Sequence, residues 1–443
     1  MKIEKLHSIF LNSNGVCTDT RKIQKNDLFF ALKGPNFNGN KYADQALKNG
    51  AAYAIIDDKE YDKGDDRFIL VNDTLTTLQE LATFHRQKLG LKIISLTGSN
   101  GKTTTKELIN VVLSQKYNTK ATQGNLNNHI GVPLTILSMD NSTEIGIVEM
   151  GANHLKEIEQ LCHIAQPDFG YITNFGKAHI EGFGSIEGVV KGKTELYNYL
   201  INNNKTVFIN TNDPIQQEKL NSYSKKNSFG KSNTADLKID FIEANPFVSI
   251  KVDDIIINSK LTGSYNLNNI AAAICIGKYF EVPLQEIKKG IEGYTPSNNR
   301  SQIIEKNSAK IILDAYNANP SSMKAALDSF SLHKNPHKVA FLGDMFELGE
   351  ISKNEHQFIA DYAEKNGLEE IYLIGNNFNG VNTVKAKKFK TYESFEEYIK
   401  NKSFKDKIIL IKGSRGMQLE RILTFIWCKF QFLLYICANY TFK

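Results

Sequence analysis

This sequence of 443 residues has few cysteines and little net charge, and we find no secretory signal in its first residues. The five cysteines are scattered, at Cys17, Cys162, Cys275, Cys428 and Cys437. Their odd number and wide spacing give neither a disulfide framework nor a zinc C-x-x-C pair. Residues 1–15 also lack the apolar core and small-residue cleavage site of a secretory signal. We therefore expect a cytoplasmic protein.

The charge balance is mild, because 54 basic and 48 acidic residues leave a net charge of +6. A dedicated nucleic-acid binder usually carries a more concentrated basic surface, so we expect no nucleic-acid partner. The content of 41% hydrophobic and 23% charged residues argues against wholesale disorder and against a multi-span membrane protein. At about 150 residues per domain, the length favours about three domains.

The pattern along the chain predicts an α/β protein with three domains and a short tail. Residues 1–88 combine short apolar runs with Gly and Asn turns, as in a small α/β domain. In residues 89–297 the strand candidates KIISL, IGIVEM, FGYIT and TVFIN alternate with helical stretches, which predicts a central P-loop-type, mostly parallel sheet. The alternation resumes in residues 298–423 and predicts a Rossmann-like domain. Residues 424–443 form an atypical apolar tail, rich in aromatics.

The strongest local motif is TGSNGKTTT at residues 97–105, which follows a predicted buried strand and opens a predicted helix. Glycines let backbone N–H groups curl around phosphate oxygens, and the helix N-terminus favours the same anion. Lys102 would neutralise phosphate charge and the Thr103 hydroxyl would bind Mg²⁺. The strict G-x-x-x-x-G-K-[ST] pattern would need glycine in place of Leu96, so this is a shorter variant of the loop. The alternative is a plain glycine turn with a surface lysine.

Several other polar residues follow predicted strands. Glu149 ends IGIVEM, where a parallel strand would deliver a metal-binding carboxylate, although a capping or solvated role is equally compatible. His154 and His179 also lie beyond strand ends, but spacing alone does not identify either as a functional residue. Lys191 and Lys193 fit a solvated helix start, a phosphate contact or a modified lysine.

The last predicted domain has its own candidates. Asp314 ends KIILD, where a carboxylate can accept hydrogen bonds from ribose hydroxyls. Arg300 lies just past a Pro, Ser and Asn cluster. Its guanidinium is planar and always charged, so it would bind phosphate. Lys412 and Arg415 lie in another glycine-rich turn after a strand. Basic residues at strand ends are common, so each of these is weak alone.

Together these motifs make the chain similar to the Mur ligase family over residues 15–423. The matching stretches are TDTR (18–21), FFALKG (29–34), TGSNGKTTTKE (97–107), GNLNNHIGVPLT (124–135), EMGANH (149–154), NFGKAHIEGFGS (174–185), YNLNNIAAA (265–273), DAYNANP (314–320), LGDMFELG (342–349) and KGSRGMQLE (412–420). DAYNANP and LGDMFELG resemble the branch that adds D-alanyl-D-alanine to UDP-N-acetylmuramoyl-tripeptide. The resemblance therefore implies an ATP- and Mg²⁺-dependent, amide-bond-forming ligase that works as a monomer.

The resemblance also implies roles for individual residues. It places the nucleotide on a set of loop and pocket residues: Gly98, Asn100, Gly101, Lys102, Thr103, Thr104, Asn269, Arg300 and Asp314. It makes Thr103, Glu149, His179 and Lys193 the metal site, with Lys193 carbamylated, and it implies that Lys102, Lys193, Arg300 and His179 are catalytic. It assigns substrate contacts to Thr20, Arg21, Asn125, Asn317, Asn319, Lys412 and Arg415, with Thr20 and Arg21 near the uridine.

Two stretches depart from the family pattern. Asn38-Gly39-Asn40 stands where the family usually has Asp-Gly-His, and the segment after LERIL does not continue as the usual final helix. A membrane span needs about 20 mostly apolar residues, and Lys429 and Gln431 interrupt this one. We expect no membrane association, although an amphipathic surface anchor stays open beside a divergent chain end.

Three other functions compete with this interpretation. A ligase that adds the third amino acid would carry an Asn-Pro-Arg signature, which is missing from residues 314–420. Folylpolyglutamate synthetase shares the phosphate loop but lacks the TDTR domain. An inactive nucleotide-binding scaffold is disfavoured because Lys102, Glu149, His179 and Lys193 are all retained.

Overall fold

The computed structural model describes residues 1–306 and 308–427, and these form five sheets. The three largest are flanked by helices, and each forms the centre of a domain. This confirms the predicted α/β class. Most of the apolar tail, from residue 428 onward, lies outside the described residues, as do Cys428 and Cys437. Within the described ranges, no helix is long and apolar enough to cross a membrane.

The N-terminal domain is built on a four-stranded parallel sheet of order β1-β2-β5-β6, beside a two-stranded hairpin, β3-β4. The strand β2 is buried along its whole length because both faces of the sheet are covered by helices or loops. Asp73 caps the long helix α3 through the amide of Thr76, and Gly90 ends it with φ +62°. The elements are α1 (Ile3–Leu11), β1 (Gly15–Cys17), β2 (Asp27–Phe30), β3 (Lys33–Gly34), β4 (Phe37–Asn38), α2 (Ala43–Lys48), β5 (Tyr53–Ile56), β6 (Phe68–Leu70) and α3 (Thr74–Leu89).

The central domain has a seven-stranded parallel sheet of order β13-β12-β11-β10-β7-β9-β8. The strand that precedes the phosphate loop, β7, lies between β10 and β9, so three strand ends meet at one edge. The elements are β7 (Lys92–Thr97), α4 (Lys102–Leu113), β8 (Thr119–Ala121), α5 (Gly131–Leu137), β9 (Ile145–Glu149), α6 (Glu157–Ala165), β10 (Phe169–Ile172), α7 (Ile180–Phe183), α8 (Ile186–Asn202), β11 (Thr206–Asn210), α9 (Pro214–Leu220), β12 (Lys226–Gly230) and β13 (Leu237–Lys238).

The chain then forms a three-stranded antiparallel sheet, which the expected alternation of strand and helix did not predict. It consists of β14 (Asp240–Ala244), β15 (Phe247–Val252) and β16 (Ile255–Thr262). A two-residue turn joins β15 to β16, and Asp253 adopts φ +51° in it. Such a turn brings adjacent strands together antiparallel, with no crossover helix. Two helices complete the domain, α10 (Asn266–Tyr279) and α11 (Leu284–Gly293).

The C-terminal domain has a six-stranded sheet of order β17-β18-β22-β19-β20-β21, parallel except for β17. Asp314 and Lys412 end neighbouring strands and are register partners. The elements are β17 (Gln302–Lys306), β18 (Ala309–Asp314), α12 (Pro320–Ser331), β19 (Lys338–Gly343), α13 (Ser352–Lys365), β20 (Glu370–Ile374), α14 (Asn376–Asn379), β21 (Lys387–Phe389), α15 (Tyr392–Ile399), β22 (Ile408–Lys412) and α16 (Leu423–Trp427).

The carboxyl edge of the central sheet faces that of the C-terminal sheet. Asn319, at the start of α12, donates from Nδ2 to Oδ1 of Asn100 at 2.7 Å. Lys177 bridges twice, from its amide to the Ser321 hydroxyl at 3.1 Å and from Nζ to Glu355 at 2.6 Å. The space between these two edges is therefore enclosed by both domains.

Candidate active site

Two glycines shape the loop between β7 and α4. Gly98 has φ +144° and Gly101 has φ +79°, a region that side chains with a Cβ rarely adopt. A Cβ on Gly98 would lie 1.9 Å from Oγ1 of Thr173, and one on Gly101 would lie 2.6 Å from Oδ1 of Asn269. Both positions therefore require glycine for space as well as for conformation.

The neighbouring strand end holds this loop in place. The amide of Asn100 donates to Oδ1 of Asn174 at 3.0 Å, and Nδ2 of Asn174 donates back to the Asn100 carbonyl at 3.0 Å. Thr173 donates to the same carbonyl at 2.6 Å. Sequence reasoning did not single out Asn174, although it begins the quoted stretch NFGKAH at the end of β10.

Lys102 opens α4 and bends back over the loop. Its Nζ donates to the carbonyl of Gly98 at 2.7 Å. Burial lowers the pKa of Lys102; the carboxylate of Glu149 opposes this shift and the charge of Arg300 adds to it. The environment thus lacks enough negative charge to satisfy this ammonium, which an anionic ligand would supply.

Glu149 ends β9 and is only 1% exposed. Its Oε2 accepts from the Thr103 hydroxyl at 2.9 Å, and its Oε1 accepts from Nδ2 of Asn127 at 2.8 Å. In the part of the chain that the structure describes, no basic side chain forms an ion pair with Glu149. A buried carboxylate without a cation is costly, so this arrangement suits a bound metal ion.

His179 lies at the start of α7 and contacts the C-terminal domain. Its Nδ1 contacts the carboxylate of Glu347, from the LGDMFELG segment, and this contact lowers the pKa of Glu347. A carboxylate at Nδ1 favours the tautomer that leaves Nε2 free to bind another group. His154 is exposed beside Glu157 instead, 3.5 Å from it.

Lys193 is completely buried in the middle of α8, which overturns the solvated alternative for this residue. Its Nζ donates to the carbonyl of Ala152 at 3.0 Å and lies 5.0 Å from the centre of the Phe183 ring. Burial lowers its pKa well below the usual value; the charge of Lys102 lowers it further, and Glu157 and Glu195 oppose the shift. Lys191 by contrast is exposed.

Arg300 and Asp314 lie where the linker enters the C-terminal domain. The guanidinium of Arg300 stacks on the Tyr316 ring, 3.6 Å from its centre. Asp314 accepts from the amide of Ser301 at 3.1 Å and from Nζ of Lys412 at 2.6 Å. The two residues are therefore held by different partners.

Asn269 is buried on α10 beside the phosphate loop. Its Oδ1 accepts from the hydroxyl of Thr105 at 3.1 Å, and its Nδ2 donates to Oδ1 of Asn266 at 2.7 Å. These contacts fix the orientation of the amide next to Gly101.

A cavity of about 620 Å³ lies between the central and C-terminal domains. It brings together most of the residues singled out from the sequence: Asn100, Gly101, Lys102, Thr103, Thr104, Asn125, Glu149, His179, Asn269, Arg300, Asp314, Asn317, Asn319 and Lys412. Gly98 and Lys193 do not line it, but they contact Lys102 and Ala152, which do. Asn127, Asn174, Tyr316 and Glu347 also line it and were not predicted individually.

Three predicted substrate residues do not line this cavity. Thr20 and Arg21 lie on the N-terminal domain, where the exposed guanidinium of Arg21 pairs with Asp19 at 2.8 Å. Arg415 lies 5.9 Å from the Tyr316 ring and donates to Glu420 at 3.0 Å.

The Asn38-Gly39-Asn40 departure has a structural role. Asn40 is buried and exchanges hydrogen bonds with Asp57, at 2.8 Å to its carboxylate and 3.0 Å from its amide. Lys33 pairs with the same carboxylate at 2.9 Å. A Cβ on Gly39 would approach the Leu32 carbonyl to 2.5 Å, so this turn packs against β2 and the loop after it.

Comparison with known proteins agrees with this geometry. Three family models match successive parts of the chain: "Mur ligase family, catalytic domain" at residues 12–86, "Mur ligase middle domain" at residues 96–277 and "Mur ligase, glutamate ligase domain" at residues 299–415. The chain belongs to the Mur ligase family.

Within the family, the chain is similar to ligases named for one reaction. The UDP-N-acetylmuramoyl-tripeptide–D-alanyl-D-alanine ligase of Bacillus subtilis is 36% identical, over 93% of this chain and 92% of the relative. The crystal structure of MurF from Acinetobacter baumannii matches with a TM-score of 0.81 and 29% identity, covering 93% and 92% of the two chains. The MurF ligase of Thermotoga maritima, solved with ADP, also has a TM-score of 0.81, with 28% identity over 96% and 98%.

Proposed function

We propose that this protein is an ATP-dependent ligase that joins D-alanyl-D-alanine to UDP-N-acetylmuramoyl-tripeptide in peptidoglycan precursor synthesis. The cavity between the two domains carries this proposal. It combines a glycine phosphate loop with a buried carboxylate and an arginine that form no ion pair within residues 1–306 and 308–427. The names of the Bacillus and other relatives, which match over nearly the whole chain, support the choice of substrates.

In this proposal ATP binds along the loop from Gly98 to Thr104. The backbone amides and Lys102 receive the phosphates, and Arg300 reaches the terminal phosphate from the other side. Asn269 lies near the adenine, and Asp314 accepts from the ribose. Phosphoryl transfer needs such positioning and charge neutralisation more than covalent help from the protein.

The residues fit a Mg²⁺ ion. Hydroxyl and carboxylate oxygens are the ligands that this ion prefers, and Thr103 and Glu149 already face each other at 2.9 Å. His179 and a modified Lys193 would complete the site. Among the described residues there is no cluster of three or more His, Cys, Asp or Glu side chains, so a site here depends on the hydroxyl and on Lys193. When bound, the ion neutralises charge on the phosphate oxygens.

The reaction proceeds in two steps. The terminal carboxylate of the tripeptide attacks the γ-phosphate, forming an acyl phosphate and releasing ADP. The free amine of D-alanyl-D-alanine then attacks the acyl carbon, and the tetrahedral intermediate loses a proton and inorganic phosphate to give the amide. The two domains must close on the substrates so that the amine and the acyl phosphate meet.

The remaining assignments follow the same proposal. Thr20 and Arg21 bind near the uridine, Asn125 lies along the peptide, and Asn317, Asn319, Lys412 and Arg415 serve the incoming dipeptide. We place the domain boundaries at residues 88 and 297, and the end of the C-terminal domain at residue 423. We also propose that the protein is a monomer and acts in the cytoplasm.

The decisive test is the mass of the product formed with ATP, D-alanyl-D-alanine and UDP-tripeptides that carry either diaminopimelate or lysine as third residue. We expect one tripeptide to gain the mass of the dipeptide less one water. If the enzyme instead extends a UDP-dipeptide with diaminopimelate or lysine, it is the third-residue-adding ligase and the proposal is wrong.

Lys102→Ala is expected to abolish product formation while leaving the circular dichroism spectrum and the unfolding temperature close to those of the wild type. The ammonium contacts only the Gly98 carbonyl in the described structure, so its loss removes phosphate binding more than packing. Near-normal ADP release by this variant, with both substrates present, would exclude the assigned role.

A further inference from the structure

Arg300 is unlike every other arginine in the chain. The sequence has six arginines, and the other five donate to carboxylates or main-chain carbonyls: Arg21 to Asp19, Arg67 to Asp65, Arg86 to Asp168, Arg415 to Glu420 and Arg421 to the Gln418 carbonyl. Within residues 1–306 and 308–427, Arg300 has neither an ion pair nor a side-chain hydrogen bond, and its Nε is buried without a partner. Among the described residues, the aromatic ring that its guanidinium contacts is that of Tyr316.

The ring of Tyr316 is well placed to orient this guanidinium. The guanidinium carbon lies over the ring, 3.6 Å from its centre. The amide of Tyr316 also donates to the carbonyl of Asn299 at 3.2 Å, which ties the ring to the segment that carries Arg300. An aromatic face attracts a cation without neutralising it, so the N–H groups stay free for a phosphate.

The nearby carboxylate is occupied elsewhere. Asp314 accepts from the amide of Ser301, the residue after Arg300, yet its other oxygen pairs with Lys412 at 2.6 Å. Lys412 is itself buried, so this pair is shielded from solvent. The arrangement keeps the negative charge of Asp314 from capturing Arg300.

We propose that Tyr316 is a positioning residue that holds the Arg300 guanidinium, still without an anion, toward the terminal phosphate of the nucleotide. This inference rests on the proposed function, because it assumes that Arg300 meets the γ-phosphate. It assigns to the tyrosine of DAYNANP a role in distinguishing ATP from ADP, since only ATP carries the phosphate concerned.

The test compares Tyr316→Leu, which removes the ring, with Tyr316→Phe, which keeps it. The affinities of the full-length protein for ADP and for the β,γ-imido analogue of ATP are measured by calorimetry with Mg²⁺ present. For Tyr316→Leu we expect about tenfold weaker binding of the ATP analogue and unchanged binding of ADP. This loss lies between those expected for an exposed and for a fully desolvated cation–π contact. Tyr316→Phe should behave as the wild type, because no hydrogen bond of the hydroxyl is needed.

The chain offers a matched control in Tyr392, whose ring stacks on Arg421 at 3.7 Å outside the cavity. Tyr392→Leu should leave the ratio of the two affinities unchanged. In an Arg300→Ala background, Tyr316→Leu should have no further effect on the ratio, whereas a general structural role would add to the loss.

Two results would overturn the inference: an unchanged ratio in Tyr316→Leu, or equal losses for ADP and the ATP analogue. Either can be recognised while the wild type still forms the expected product. If the wild type forms no product but binds both nucleotides, the proposed function fails and the role of Tyr316 at the phosphate can still be measured.

Discussion

Lys193 and Lys106 are both fully buried lysines, but their surroundings differ. Lys106 pairs with Glu107 at 2.6 Å and donates to the Thr122 carbonyl, so its positive charge is compensated. Lys193 contacts one carbonyl and one aromatic ring, and burial lowers its pKa well below the usual value. A neutral amine is the form that reacts with CO₂, and the carbamate formed would supply the oxygen that Mg²⁺ prefers.

We predict that the protein prepared in ¹³C-labelled bicarbonate shows a carbamate carbonyl signal in its ¹³C NMR spectrum. Lys193→Met should remove this signal together with most of the ligase activity. Lys106→Met, the matched buried lysine, should retain the signal even if it loses stability. A spectrum without a carbamate in the active wild type would refute the modification.

The residues found by sequence reasoning and those it missed differ in how they act. Lys102, Thr103 and Glu149 could be predicted because each follows a recognisable strand or opens a helix, and the strand ends of a parallel sheet converge. Asn127, Asn174 and Tyr316 contact other residues of the site, namely Glu149, Asn100 and Arg300 respectively, from separate segments of the chain. Such contacts depend on three-dimensional packing, which residue spacing does not reveal.

A pair of buried histidines joins the two long helices of the N-terminal domain to the central domain. Nε2 of His7, on α1, lies 3.0 Å from Nδ1 of His85, on α3, and Nε2 of His85 lies 2.9 Å from the Met139 carbonyl. Burial lowers the pKa of both histidines; the charge of Lys88 lowers that of His7 further, whereas Asp140 opposes the shift at His85. The folded protein therefore favours the neutral pair.

We expect the free energy of unfolding to fall as the pH is lowered from 7 to 5. Below the ordinary histidine pKa of about 6.5 the unfolded chain takes up protons that the folded pair does not, so stability is present above that pH and lost below it. Each such proton accounts for at most about 1.4 kcal/mol per pH unit.

The measurement is urea unfolding at several pH values for the wild type and for His7→Gln, whose amide can still donate to His85. The variant should show a smaller dependence on pH. His333 and His356, whose pKa values burial also lowers, provide the part of the slope that both proteins share. Identical slopes would exclude the histidine pair as a source.

The parallel strands could be predicted from their apolar runs and their spacing, but the antiparallel sheet could not. Strand β14 is exposed along most of its length, with no alternation of buried and exposed residues. It pairs with β15, which the Asp253 turn joins to β16, and β15 and β16 pack against α10. Hydrophobic periodicity does not predict such pairing.

The enclosed cavity depends on contacts that span the two domains. Lys177 and Glu355 form one of them at 2.6 Å, with the Glu355 side chain only 12% exposed. A partly buried pair of this kind contributes about 1 kcal/mol, so its removal would shift the balance between closed and open forms about fivefold.

We predict that Lys177→Met lowers the ligase rate several-fold and increases the radius of gyration measured by small-angle X-ray scattering. The affinity for ADP should change little, because the phosphate loop itself is intact. Lys324→Met is the control, since it removes an exposed pair with Asp328 at 2.8 Å on the same domain as Glu355. Equal effects of the two variants would contradict a role for the Lys177 contact in closure.

The single hydrogen bond between Asn100 and Asn319 has a consequence for inhibitor design. Asn319 caps α12 through Oδ1, which accepts from the Ser322 amide at 2.9 Å. Its Nδ2 donates a hydrogen bond to Asn100 in the phosphate loop. A flat amide-bearing compound that inserted here could satisfy both asparagines and act as a wedge. Because Asn100 lies in the loop proposed to bind ATP, such a compound would both compete with the nucleotide and keep the two domains from closing.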